Sequence, residues 1–407
     1  IGAAISCLAS ICNPDLAMDL LSDVYGMMNS SRPYIRKKAV LVLLKIFKQW
    51  PKALRLSFDR LKDKLNDTNQ GVVSAAVYVI CELANHNPKN YLSLAPQFYK
   101  ILTSSSNNWV LIKVVKLLGS LVPLEPRLAK KLTEPLTEII TTTPAKSLLY
   151  ECVNTLIGGR LTTKSVIRLC LEKLRMFIED TDQNLKYLGL LGLHKLMLKH
   201  PRVVAEHKDL ILDCLKDDDI TIRMRALDLI TSMVSQRNLQ GIVKRLIDHL
   251  ESSDGNYREI VLERILFICS QDNFSYIGDF EWFISTLVDL THVTGASAKN
   301  AGALALQLME VIIRVPAVRQ YGVKAMTDLI LAGRLLASST NAQSNAMCEV
   351  LYAASWIVGE FSEYLTEHLE VITNLLKPQA STLSMRVQNV FIQAVLKVFA
   401  SALAQSF

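Results

Sequence analysis

Apolar residues recur along most of the chain at intervals of three and four positions, so that they line one face of successive helices. In the stretch Ala39–Phe47, for example, Ala39, Leu43, Ile46 and Phe47 share a face. Short polar segments rich in Pro, Asn, Asp and Ser separate these stretches. The 16 glycines and 12 prolines are about half the usual share, so few turns are available for sheets. The pattern predicts an all-α chain with short loops.

A second pattern repeats over a longer distance. A polar turn is followed by an apolar residue, usually a basic residue, and a small residue three positions later, as in Arg36 with Ala39 and Arg223 with Ala226. The aligned positions are 36, 73, 113, 186, 223 and 258, separated by 37, 40, 73, 37 and 35 residues, where 73 spans two units. A period near 37 is typical of a HEAT or armadillo-type α-α superhelical solenoid. At this spacing, we expect about ten helix pairs along the chain.

Each pair needs its neighbours, because neither helix can bury its apolar stripe alone. With neighbouring helices about 8–10 Å apart, ten pairs would form a curved rod of about 100 Å whose second helices line the concave side. The first helices are expected near Asp15–Asn29, Pro51–Leu65, Tyr91–Thr103, Arg127–Thr141, Lys164–Ile178, Arg202–Leu215, Leu239–Leu250, Phe280–Leu290, Val318–Ala337 and Glu363–Leu376.

The repeats predict one solenoid over residues 1–407. Gly158 and Gly159 interrupt the pattern, so a loop or break is expected near 158–163, and a second loop is expected at Asn341–Asn345. The chain begins without Met, which favours a fragment of a longer protein.

Half of the residues are hydrophobic and the mean hydropathy is +0.24. Apolar stretches such as Ala75–Cys81 end in a charged residue well before the roughly 20 residues that a membrane span needs, so no span is expected. Excess apolar residues without a span indicate surface that is buried against partner proteins.

Few residues suggest catalysis. The seven histidines are scattered, and metal, nucleophile and phosphate-loop motifs are absent from the sequence, so we expect no enzyme activity, metal or cofactor. Asp217, Asp218 and Asp219 precede a helix, where they can cap its N-terminus. The eight cysteines form no C-x-x-C pair and are expected to be reduced and mostly buried.

Basic residues near the second helices are the candidate functional group. The net charge of +7 allows contact with an acidic partner or with membrane headgroups. A structural alternative is that these residues bind an acidic turn of the neighbouring repeat, which fits the repeated Arg best. Nucleic acid is not expected, because no aromatic side chains alternate with the lysines. The partner-binding candidates are Arg36, Lys37, Lys113, Lys116, Arg223 and Arg225; Trp109 and Trp356 are expected to pack in the core.

Several segments carry a resemblance to a known family. Asn107–Lys113, Leu149–Thr155 and the W-x-x-G-E-aromatic block Trp356–Phe361 resemble the large adaptins of vesicle-coat adaptor complexes. Asn87–Pro96 and Asp182–Leu191 are similar to the delta-type adaptins of adaptor protein complex 3. The resemblance covers nearly the whole chain.

This resemblance implies a non-enzymatic α-solenoid trunk in a heterotetramer with a beta-type large adaptin, a medium mu subunit and a small sigma subunit. It implies recruitment by an Arf-family GTPase and sorting of signal-bearing membrane cargo from Golgi or endosomes to the lysosome or vacuole. The protein would be cytoplasmic and peripheral on Golgi and endosomal membranes and coated vesicles. The chain is expected to begin about three repeats into the trunk and to lack the hinge and ear, so no cargo residue is assigned.

Two other scaffold classes stay open at this point. A karyopherin-like HEAT transport receptor would show a markedly acidic interior, which a mildly basic chain does not favour. A phosphatase A-type regulatory scaffold would have repeats of more uniform length.

Overall fold

The computed structural model describes residues 1–159, 163–253, 255–292, 298–333 and 348–405. These residues contain twenty-two α-helices and no strand, which confirms the all-α prediction. The helices are α1 Gly2–Ser10, α2 Pro14–Met28, α3 Pro33–Gln49, α4 Lys52–Asp63, α5 Gln70–Ala84, α6 Ala95–Ser104, α7 Asn108–Leu121, α8 Pro126–Thr142, α9 Lys146–Gly158, α10 Lys164–Ile178, α11 Gln183–Met197, α12 Pro201–Ala205, α13 Lys208–Asp213, α14 Ile220–Ser232, α15 Leu239–Glu251, α16 Gly255–Ser270, α17 Phe280–Thr291, α18 Ala298–Arg314, α19 Arg319–Leu331, α20 Cys348–Glu360, α21 His368–Leu375 and α22 Met385–Gln405.

After α1, the described helices form ten successive pairs, as the repeat predicted. The first helix of the sixth pair is divided into α12 and α13, whereas the sequence predicted one helix over Arg202–Leu215. The loop expected near 158–163 begins where α9 ends at Gly158, and residues 160–162 lie outside the described residues. The loop expected at Asn341–Asn345 also lies outside them.

The chain divides into two compact units, Ile1–Val204 and Ala205–Phe407. In the first unit the second helices α3, α5, α7, α9 and α11 each pack on the next. In the second unit the same holds for α14, α16, α18, α20 and α22. Each unit therefore has a continuous core of stacked second helices, with Leu43, Ile80 and Leu118 fully buried in the first and Ile265 and Leu304 in the second.

Acidic and amide side chains organise the turns that precede the second helices. Asp182 accepts a hydrogen bond from the backbone N–H of Asn184 at 2.8 Å and so caps α11, while Asp180 accepts one from the N–H of Asp182 at 3.0 Å. The same two-step arrangement occurs over residues 67–71 and 217–221. These side chains bond N–H groups that a helix start leaves unpaired, as the sequence predicted for the Asp217–Asp219 turn.

Small residues let the two helices of a pair approach closely. A Cβ placed on Gly189 would lie 2.7 Å from Cγ1 of Ile178 and 3.0 Å from the carbonyl oxygen of Leu174, on the facing helix α10. Ala39 and Ala226, at the equivalent position of the repeat, are fully buried. The small residue is therefore required by packing.

Most ion pairs between repeats share one direction, whereas Arg36–Asp67 and Lys146–Asp180 run the opposite way. In each of six pairs the acidic residue lies on the earlier helix and the basic residue on the later one, 31 to 37 residues along the chain. We call this set the interrepeat ladder. Its members are Glu82–Lys113, Asp209–Arg245, Asp228–Arg264, Glu263–Lys299, Glu349–Arg386 and Glu360–Lys397.

One helix meets the length and composition of a membrane span, although the sequence predicted no such segment. Among the described residues, the segment Met385–Ala404 of α22 is long and apolar enough by length and composition. It contains only two charged side chains, Arg386 and Lys397, and both form ladder pairs with α20. Packing on α20 also buries Val387 and Val398, so α22 is built into the stack of second helices.

Six of the eight cysteines are buried, as predicted, and none forms a disulfide. Cys7 is exposed and Cys12 is half-buried. Burial raises the pKa of the Cys81 and Cys152 thiols to about 12.

Candidate partner-binding face

Arg36 joins two consecutive turns of the first unit. Its Nε and Nη2 donate to the two carboxylate oxygens of Asp67 at 3.0 and 2.9 Å, and its Nη1 donates to the carbonyl oxygens of Ser30 and Ser31 at 2.9 and 3.2 Å. The side chains of Arg36 and Asp67 are only 13% and 7% exposed. The hydrogen bond from Arg36 is the main cause that lowers the pKa of Asp67. Arg36 thus has the structural role that the sequence offered as the alternative.

Lys113 of α7 is also engaged. Its ammonium lies 2.8 Å from a carboxylate oxygen of Glu82 on α5 and 4.8 Å from the centre of the Tyr78 ring. The hydrogen bond from Lys113, followed by the charges of Lys113, Lys116 and Lys48, outweighs burial and lowers the pKa of Glu82. The charges of three lysines from α3 and α7 therefore act on one carboxylate of α5, and Lys113 is the one hydrogen-bonded to it.

Lys37 and Lys116 are exposed. Neither forms a hydrogen bond or ion pair within the described residues. Of the four candidates in the first unit, these two are therefore the exposed lysines without a hydrogen bond or ion pair in the described part of the chain.

The sequence was wrong about Trp109. A core position was expected, but the Trp109 side chain is 81% exposed. It is exposed because it lies on the same face of α7 as Lys113 and Lys116. Trp356 is half-buried and packs edge-on against Phe361, with ring centres 6.4 Å apart.

Arg223 and Arg225 lie on α14 of the second unit. The Arg223 guanidinium stacks over the Tyr257 ring at 4.5 Å, and the Arg225 guanidinium lies 4.0 Å from a carboxylate oxygen of Asp228. The Tyr257 hydroxyl is within hydrogen-bond distance of His249 Nε2, at 3.1 Å. Burial, followed by the charges of Arg223 and Lys216, lowers the pKa of His249. Arg223 therefore packs against α16 of the next repeat, and Arg225 contacts an acidic side chain of its own helix.

Two further observations bear on ligand chemistry. Within the described ranges, no three His, Cys, Asp or Glu side chains gather where they could hold a metal ion. A cavity of about 550 Å³ in the first unit is lined mainly by apolar side chains of α8 and α9, including Leu132, Leu136 and Leu156. At its edge, Lys199 Nζ donates to the carbonyl oxygens of Ile157, Gly158 and Gly159 at 2.6, 2.9 and 2.9 Å and so caps α9.

The family described as the adaptin N terminal region matches residues 1–407. The chain belongs to the adaptin family. It is similar to the AP-3 complex subunit delta-1 of Bos taurus, with 51% identity over 412 residues that cover 99% of this chain and 34% of the relative. The chain thus spans about a third of the length of that relative. The identity to a delta subunit agrees with the delta-type resemblance of the sequence.

Two structures with known architecture resemble this adaptin. A chain in a homology model of the full-length AP-3 complex in an intermediate open conformation gives a TM-score of 0.69 at 33% identity, covering 98% of this chain and 72% of that one. A chain in a structure of Kap95p with RanGDP gives a TM-score of 0.55 at 13% identity, with 98% and 60% covered. The second likeness shows a shared HEAT-type fold and nothing about function.

Sequence reasoning anticipated acidic partners in the neighbouring repeat but did not identify which basic residues have one. Asp67 lies 31 residues after Arg36, and Glu82 lies 31 residues before Lys113. An acidic residue about one repeat away from a basic residue is a visible signal. The search for basic residues alone could not use it.

Proposed function

We propose that this chain is a scaffold subunit of a heterotetrameric vesicle-coat adaptor complex and performs no catalysis of its own. The observation that carries the proposal is the adaptin match over all 407 residues. The relative at 51% identity and the structure at 33% identity are named for the delta subunit and for the AP-3 complex. Stacked helix pairs supply extended surface, which suits a scaffold.

The proposed partners are a small sigma subunit, a medium mu subunit and a beta-type large adaptin. In the assembled complex, an Arf-family GTPase would bring the scaffold to the cytoplasmic side of Golgi and endosomal membranes. The complex would sort signal-bearing cargo toward the lysosome or vacuole. These roles follow from the delta-type similarity.

Among the six basic candidates, Lys37, Lys113 and Lys116 are the proposed partner contacts. Lys37 and Lys116 are exposed, and Lys113 is about one-third exposed on the same face of α7 as Lys116. Arg36 is excluded from this group because it is bound on several sides within the fold. Arg223 is proposed to act mainly between its own repeat and the next, and Arg225 within its own helix.

Co-expression of the tagged chain with sigma, mu and beta-type subunits tests the proposal. We expect all three to co-purify with it, and we expect the double variant Lys113→Glu/Lys116→Glu to recover less of the small or beta-type subunit. The matched control is Lys52→Glu/Lys131→Glu, which makes the same charge change at exposed positions of α4 and α8. Recovery of none of the three subunits, or of a Ran-type GTPase alone, would contradict an adaptor role.

A further inference from the structure

The surroundings of Glu82 carry an excess of positive charge. The charges of Lys48 near the end of α3 and of Lys116 in the second half of α7 both act on the Glu82 carboxylate, yet only Lys113 is hydrogen-bonded to it. Lys48 and Lys116 are exposed and form no hydrogen bond or ion pair in the described part of the chain. Two lysines beside α5 are therefore available to an anionic ligand.

Large aromatic side chains stand next to these charges. Trp109, Lys113 and Lys116 follow one another at helical spacing along one face of α7, and Trp109 is 81% exposed. Tyr78, 40% exposed, lies one turn before Glu82 on α5. We call Lys48, Tyr78, Glu82, Trp109, Lys113 and Lys116 the Glu82 patch. It combines an exposed indole, which favours an apolar contact, with lysines that favour carboxylates.

The size of the patch indicates what can cover it. Trp109 and Lys116 are seven residues apart, which is about 10 Å along α7. α3 and α7 lie on either side of α5, so their axes are about 16–20 Å apart. A helix of three to four turns is about 16–20 Å long and can present carboxylates and apolar side chains on adjacent faces, which matches these dimensions.

A lipid surface fits the patch less well. The Glu82 carboxylate lies among the lysines and would repel anionic headgroups, whereas a helix can direct its carboxylates to Lys48 and Lys116 and leave the Glu82–Lys113 pair intact. We infer that the Glu82 patch binds an acidic amphipathic helix of a partner protein. This inference rests on the proposed function, in which the same row of second helices is a partner-binding face.

Fluorescence anisotropy with the full chain tests the inference. The probe is a labelled synthetic helical peptide with glutamates on one face and leucines on the adjacent face. Lys48→Glu/Lys116→Glu should weaken its binding about tenfold or more, because two attractions become repulsions, while Lys52→Glu/Lys131→Glu should change it less than about threefold. Trp109→Ala should also weaken binding by about tenfold, and the exposed Leu56→Ala should not.

A variant that binds the peptide more tightly distinguishes a change in recognition from damage to the fold, because a damaged fold would bind less. Glu82→Gln removes the negative charge from the patch and releases Lys113, so the peptide should bind more tightly, by about threefold. Equal losses in the patch and control variants would overturn the inference. So would patch variants that reduce binding to phosphatidylserine vesicles without changing peptide affinity. Co-purification of the adaptor subunits is a separate measurement, so the proposed function can stand when this inference fails.

Discussion

At the scale of single residues, neighbouring basic side chains of one helix have different roles. Arg36 uses its planar guanidinium to bind one carboxylate with two nitrogens and two backbone carbonyls with a third. Lys37, the next residue, is exposed. The rigid fork of donors suits Arg to this bridging position, where the point charge of a lysine could not replace it.

The bridge predicts a pH-dependent loss of stability. Arg36→Met should lower the free energy of unfolding at neutral pH more than Lys37→Met does. Because Arg36 lowers the pKa of Asp67 below its ordinary value of 3.8, this stabilisation is present above that value and is lost as the pH falls through the lower folded pKa. Urea denaturation of both variants at neutral pH and near pH 3 measures their free energies of unfolding. The difference between the two variants should become smaller in acid. A difference that is constant with pH would contradict the assignment.

The cysteines should differ in reactivity. Burial raises the pKa of Cys170 and Cys269 to about 12, as it does for Cys81 and Cys152, so these thiols have almost no reactive thiolate near neutral pH. Iodoacetamide should therefore modify the exposed Cys7 first and the half-buried Cys12 next. Mass spectrometry of the native chain, compared with the chain in urea, measures the order. Early labelling of Cys170 would show that its helix opens easily.

At the scale of the helix, two glycines in similar secondary structure should respond oppositely to the same substitution. Gly189→Ala places a methyl group against Ile178 and the backbone of Leu174, so we expect a loss of about 1–3 kcal/mol. Gly241 on α15 has open space around its Cβ position, so Gly241→Ala should add about 0.5–1 kcal/mol. Thermal or urea denaturation of both variants compares the signs. If Gly189→Ala stabilised the chain, α10 and α11 would have to move apart without any loss in the free energy of unfolding.

The bounds of a helix were predictable from the sequence wherever a single apolar stripe ran along its whole length. α10 begins and ends as predicted, at Lys164 and Ile178. The division of Arg202–Leu215 into α12 and α13 was not predictable, because the apolar pattern continues through the turn that separates them. Trp109 was assigned to the core by residue type, although its spacing from Lys113 already placed it on the polar face.

At the scale of the molecule, a stack of repeats should transmit damage only to its neighbours, because each second helix packs on the one before and the one after. Leu118→Ala in α7 removes a fully buried side chain and should cost about 2–5 kcal/mol. Hydrogen exchange should then accelerate in α5, α7 and α9 more than in α2. The exposed Leu56→Ala is the control, and uniform acceleration across the first unit would indicate a single cooperative core.

Five of the six ladder pairs join second helices and make the two sides of such a helix unlike each other. Each ladder pair joins an acid on the earlier helix to a base on the later one. A helix such as α16 therefore offers Arg264 backward, to α14, and Glu263 forward, to α18. Such a surface is heterologous: it complements the opposite side of another repeat and not its own. A repeat that carries ladder pairs on both sides could be duplicated or lost during evolution without disturbing the pairing, provided that its orientation in the gene is kept. Two forward sides brought face to face would place acid against acid, and two backward sides would place base against base.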